Sequence, residues 1–284
     1  MDNSKMKELP FTLISLLATL FLGCSSVFPS LNPISPGDDP NFTIVDHDDP
    51  GLSSFNRKVV VFGIDIYAKA RVKDTNLLHA ANVMAQYLDN DEDGEVDDPR
   101  VLEAMLDNGA YLVMWKKRID LLFSFPAGRT GQDLGNDETH PEWHADKSGA
   151  FDATLEEVWH IITHAGYASA YPEVFGEQSG TELAKAMDLA RGGQFTKVPK
   201  PYPADAWYTY DDATCNYACM STEYFYWAMT SMLGAQENRM EEIGHEWRLN
   251  TRDKVQTEDP AIFALLTSSI YRLPTVLPDG TYRR

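Results

Sequence analysis

Ala153-Thr154-Leu155-Glu156-Glu157-Val158-Trp159-His160-Ile161-Ile162-Thr163-His164 is the stretch on which the reading of this 284-residue chain turns. Its apolar residues predict a helix over 154–168. Glu156, His160 and His164 are spaced four apart, so a helix raises them on one face, with Glu157 on the edge of that face three before His160. Two residues four apart on a helix can reach one metal ion. Four of the seven histidines fall between His140 and His164. His140 and His144, in Thr139-His140-Pro141-Glu142-Trp143-His144, read as loop histidines, with the wall of the same cleft as the alternative.

Outward from that helix, the pattern is strand, helices, strands, then a run of helices. Residues 58–67 are β-branched and apolar, a buried strand. Apolar residues at helical spacing predict a helix over 77–88, and Pro99 opens another through 106. Residues 111–115 and 120–125 are candidate strands. Pro126 ends the second, and 128–148 reads as a polar loop. Further helices are expected over 181–189, 222–233, 237–249 and 260–266, with 198–206 extended. The order favours a single α+β domain over 57–284, mostly helical with a small N-terminal sheet.

Before it lie a basic start (Lys5, Lys7), an apolar run over 9–22, and Phe21-Leu22-Gly23-Cys24. The run is too short for a membrane span. Phe21-Leu22-Gly23-Cys24 resembles the lipobox of bacterial lipoproteins, which implies a signal peptide over 1–23, lipidation of Cys24 and a flexible tether over 24–56. The protein is then exported and held at the outer membrane or cell surface by a lipid anchor, or secreted. The net charge of −19 disfavours nucleic acid and anionic membranes as partners. With Cys24 lipidated, Cys215 and Cys219 remain. In an oxidising compartment these two are close enough to bridge, since residues four apart on one turn suit a disulfide.

Asp89-Asn90-Asp91-Glu92-Asp93-Gly94-Glu95-Val96-Asp97 has the alternating carboxylates, the turn glycine and the apolar pin of a calcium loop. It resembles the first nine positions of an EF-hand loop spanning 89–100. Asp89, Asp91, Asp93, Glu95 and Asp97 are the candidate Ca2+ ligands. Position twelve is Arg100 in place of the bidentate Glu, and no partner loop follows, which favours a structural clamp over a sensor.

Thr154-Leu155-Glu156-Glu157-Val158-Trp159-His160 resembles the active-site helix of zincin metallopeptidases, the gluzincin and lethal-factor-like group in particular, whose signature is H-E-x-x-H. The resemblance implies a zincin-like architecture and a Zn2+ site. In it His160 is the second ligand, Glu157 the general base and Glu223, on a later helix, the third ligand. Glu156 stands where the family has its first His, and His164 is a substitute imidazole one turn on. The function implied is metal-dependent hydrolysis of a peptide. Two rivals stay open. One is a non-enzymatic, calcium-stabilised surface lipoprotein. The other is a di-iron carboxylate protein, built on Glu157–His160 and Glu242–His245 with Glu103 and Glu223. Trp207, Tyr208, Tyr210, Tyr217, Tyr224, Phe225, Tyr226 and Trp227 crowd the segment around Glu223 as core or as cleft lining.

Overall fold

The structure is a computed structural model that describes residues 39–121 and 125–284. The expected signal peptide, Cys24 and the first part of the tether lie outside the described residues, as do residues 122–124 of the expected strand over 120–125. The fold is α+β. Five strands form one mixed sheet in chain order: β1 (Val45–Asp46), β2 (Arg57–Val61), β3 (Ile64–Ala68), β4 (Tyr111–Trp115) and β5 (Gly131–Gly135). The β1–β2 and β2–β3 pairs are antiparallel, while β3–β4 and β4–β5 are parallel.

The apolar run over 58–67 is therefore two strands rather than one. Val61 pairs with Ile64, and the chain reverses through Phe62 (φ 47°) and Gly63 (φ 90°). Two successive positive φ values give a hairpin turn whose twist matches its strands, and Gly63 adopts this without strain. A second difference is β5, which lies inside the stretch read as a polar loop. Its sequence, Gly-Gln-Asp-Leu-Gly, buries only its last two residues, so it carries little apolar signal. The expected strand over 120–125 starts instead in a 3-10 helix, Arg118–Leu121.

Both faces of the sheet are covered. Ile64, Ile66, Leu112 and Met114 join the main core, while Tyr67, Tyr111 and Val113 meet Leu52 and Phe55 on the other side. Leu52 and Phe55 are fully buried. The segment read as the end of a tether is thus part of the domain, because a sheet buried on both faces needs an apolar cover. Tyr67 adds a hydrogen bond to Asp49 at 2.7 Å.

Helix α1 (Asp74–Leu88) leads through the acidic loop into α2 (Pro99–Asp107), which Asp98 caps by accepting from Arg100 N. Helix α3 (Thr154–Ile161) continues without a break into a π-helical turn, Ile162–Tyr167, and the short helix α4 (Ala168–Ala170); the chain bends at Tyr171 before α5 (Pro172–Phe175). Gly166 lies in the π turn. A Cβ there would stand 2.8 Å from Val101 Cγ1 and 2.9 Å from Met105 Cγ, so glycine lets α2 approach. Helix α6 (Glu182–Ala190) is capped by Thr181, and α7 (Tyr217–Met232) by Asn216. Cys215 and Cys219 are bonded at the start of α7, their Cα atoms 5.3 Å apart. Only one turn of the helix expected over 237–249 forms, α8 (Met240–Ile243). Trp247 then leaves to bridge Tyr208. The last helices are α9 (Arg252–Glu258), not expected from the sequence, and α10 (Pro260–Leu266). No helix among the described residues is long and apolar enough to cross a membrane.

Candidate metal centre

Helix α3 packs between β5 and α7. Leu155, Val158, Trp159 and Ile161 fill the core, which leaves Glu156, Glu157 and His160 at the boundary with those neighbours. Donor atoms of these three residues lie within 4.8 Å of one another. From α7 comes Glu223, the one charged residue in a helix buried on nearly every side. A carboxylate in such a setting is costly unless a cation or several donors meet it.

What meets it is His160. The imidazole is buried, with Nδ1 3.5 Å from Glu157 Oε2 and Nε2 3.5 Å from Glu223 Oε2. His160 Nε2 and Glu223 Oε2 are both buried, and neither has a hydrogen-bond partner among the described residues. The Tyr226 ring packs edge-on against the imidazole, centroids 5.5 Å apart. Glu157 is held from β5, where Gln132 Nε2 donates to its Oε2 at 2.5 Å.

The electrostatics follow from three carboxylates around one imidazole. Burial and the charges of Glu223 and Glu157 push the Glu156 carboxyl up to about 8, against the opposing pull of His160 and of a Tyr226 hydrogen bond. Burial alone would lower the pKa of His160, but Glu223 and Glu157 outweigh it and hold the imidazole well above its ordinary value. The cluster thus favours the protonated forms of Glu156 and His160.

His164 does not join this group. It is half exposed, and its Nδ1 pairs with Glu177 at 2.7 Å, an interaction that raises its pKa against the effect of burial. Glu177 also accepts from Thr222 Oγ1 at 2.8 Å. His164 and Glu177 form the rim of a cavity of about 330 Å3, and His160, Thr222, Glu223 and Gln132 are among its other walls. Glu157, the general base implied by the resemblance, lies behind His160 and does not line this cavity.

Other expected groupings come apart. Glu242 pairs with Arg239 and is mostly exposed. His245 is also exposed, beside Glu246, and Glu103 faces outward on α2. None of the three lines the cavity, so the two E-x-x-H motifs do not meet. His140 pairs with Glu142. His144 is no loop histidine at the surface, being buried against Asp152. Gln132 and Glu177 were not singled out from the sequence. Tyr226, one turn beyond Glu223, belongs to the aromatic segment read as core or cleft lining, and packs against His160; nothing in the sequence points to Gln132 or Glu177.

In the acidic loop, donor atoms of Asp89, Asp91 and Asp93 come within 4.8 Å of one another. Asp89 is fully buried, and Gly94 N donates to its Oδ2 at 2.8 Å. Gly94 has φ +95°, which gives the sharp turn. Burial and the charges of Asp91, Asp89 and Asp93 push Asp97 up, and the Asn90 N–H opposes them. Glu95 is exposed on the same loop. The C-terminal segment closes over it: Tyr282 donates its hydroxyl to Asp89, and Arg283 N donates to Glu92 at 3.0 Å.

No family model, curated protein or solved structure matches this chain.

Proposed function

We propose that this chain is an exported calcium-binding protein, lipid-anchored through Cys24, whose His160–Glu223 centre serves metal-dependent hydrolysis of a peptide. The observation that carries it is the facing pair of orphaned atoms, His160 Nε2 and Glu223 Oε2, in the wall of an open cavity. Buried polar atoms are nearly always hydrogen-bonded, so two facing exceptions call for a missing partner.

The donor set fits zinc, which binds imidazole nitrogen and carboxylate oxygen. His160, Glu223 and Glu156 would hold the ion, which in turn supplies Lewis acidity toward a carbonyl oxygen. Glu157 and Gln132 then act as a support. Glu157 fixes the proton on Nδ1 of His160, which leaves the Nε2 lone pair free. On this geometry the proton carrier is the His164–Glu177 pair at the rim, because it reaches the cavity and Glu157 does not. A histidine hydrogen-bonded to a carboxylate is suited to both accepting and giving up a proton.

The test is a screen of the full chain against a broad peptide library with zinc present. Hydrolysis lost in His164→Gln with zinc retained supports the proposal. No hydrolysis by the wild type rejects it and leaves the second reading, a calcium-stabilised surface protein without activity. That reading is favoured by the convergence of Asp89, Asp91 and Asp93 and by the carboxylate excess at His160, which weakens the Lewis acidity of any bound ion.

A further inference from the structure

Away from this centre, two imidazoles converge on one carboxylate oxygen. His79 Nε2, from the middle of α1, lies 2.7 Å from Asp152 Oδ2. His144 Nε2, from the 3-10 helix Pro141–Ala145, lies 2.8 Å from the same oxygen. Asp152 is fully buried, and only 5% of each histidine side chain is exposed.

The second carboxylate oxygen is already held. Asp152 Oδ1 accepts from His140 N at 2.9 Å and from Thr154 N at 3.3 Å. Oδ2 is therefore aimed at the two rings by its own backbone surroundings. Outer contacts of this kind orient a one-oxygen carboxylate ligand. The rings are fixed from behind as well. Trp143 packs edge-on to His144 with centroids 5.1 Å apart. Gly280 covers His79 so closely that a Cβ there would come 2.0 Å from the ring nitrogen Nδ1.

We infer that His79, His144 and Asp152 form a second site for a divalent metal ion of the zinc class, independent of the His160 centre. Two imidazole nitrogens and one carboxylate oxygen are a common three-ligand set for zinc. Tetrahedral bonds of about 2.0–2.1 Å require each nitrogen to part from Asp152 Oδ2 by only roughly half an ångström. His79 is 73 residues from Asp152, while His144 is eight from it, so an ion there ties α1 to the segment that leads into α3. The C-terminal segment that carries Gly280 also carries Tyr282, which donates to Asp89 of the acidic loop.

The test uses the full chain carrying His160→Ala and Glu223→Gln, so that its outcome does not depend on the proposed hydrolase centre. Cobalt(II) is the probe, read by its visible spectrum and by elemental analysis. The expected result is about one cobalt per chain with the intense visible bands of a four-coordinate ion, displaced by zinc. Adding His79→Asn and His144→Asn removes it. His144→Gln alone, at the edge of the cluster, lowers the affinity at least tenfold while the far-ultraviolet circular dichroism stays unchanged. An unaltered affinity in His144→Gln, or no cobalt bound before these changes, overturns the inference and leaves the three side chains as a hydrogen-bonded clasp.

Discussion

His160 Nε2 and Glu223 Oε2 face each other across 3.5 Å, and neither atom has a hydrogen-bond partner among the described residues. One comes from a helix that borders the edge strand of the sheet, the other from α7, whose residues are mostly buried. Leaving both groups unsatisfied costs stability. In the function proposed here, a divalent cation answers both atoms at once.

The roles of the neighbouring acids separate by mutation. Glu157 supports the imidazole from behind, so Glu157→Ala should lower zinc affinity about 10–100-fold. His164 lies at the rim, so His164→Gln should leave zinc affinity within about twofold and remove any hydrolysis, an expected loss of about 10²–10⁴. Isothermal titration and a peptide assay check the pair. A Glu157→Ala protein that binds zinc as the wild type does would count against the support role.

The metal-free protein should lose stability as pH rises. The Glu156 carboxyl is raised in the folded state to about 8, and His160 is also raised. A raised group binds more protons folded than unfolded, so its contribution is fully present below the unfolded pKa and is lost as pH climbs through the folded one. Between pH 5 and pH 8 the melting temperature without metal should fall by at least ~5 °C. Glu223→Gln removes a like charge from Glu156. It should flatten this profile and raise the metal-free melting temperature at pH 8. A flat wild-type profile contradicts the charge balance described above.

The disulfide closes a very short loop, four residues apart in sequence. Loop-entropy reasoning gives about 2 kcal/mol for so short a ring. Replacing Cys215 and Cys219 by Ser should therefore cost about 2 kcal/mol or less, measured by urea unfolding. A loss of 5 kcal/mol would show that the bond holds more of α7 in place than its own turn.

Asp91 tests the calcium loop cleanly because it is exposed and, among the described residues, its carboxylate accepts a hydrogen bond only from the Asp93 N–H, at 3.3 Å. Asp91→Ala should leave the calcium-free melting temperature within ~1–2 °C and abolish the rise that calcium gives the wild type. An unchanged calcium response in Asp91→Ala rejects the site.

The α+β pattern was legible where periodicity was strong. α1, α2, α3, α6, α7 and α10 all fall where apolar spacing placed helices. The sheet was less so, and for identifiable reasons. The β2–β3 turn is hidden because Phe62 is as apolar as its flanks, and β5 is too polar to stand out from a loop. At the centre, spacing along α3 correctly brought Glu156, Glu157 and His160 together. The same spacing wrongly added His164, because only the fold could show that Glu177 claims it. The His79–Asp152–His144 cluster was invisible, since its members lie on three segments without a common spacing.

The most direct measurement is zinc per chain, by elemental analysis after dialysis in metal-free buffer, for the wild type and for the His160→Ala/Glu223→Gln variant side by side. The variant is expected to hold about one zinc fewer than the wild type, with its far-ultraviolet spectrum unchanged. Equal zinc in the two proteins, or none in the wild type, contradicts it.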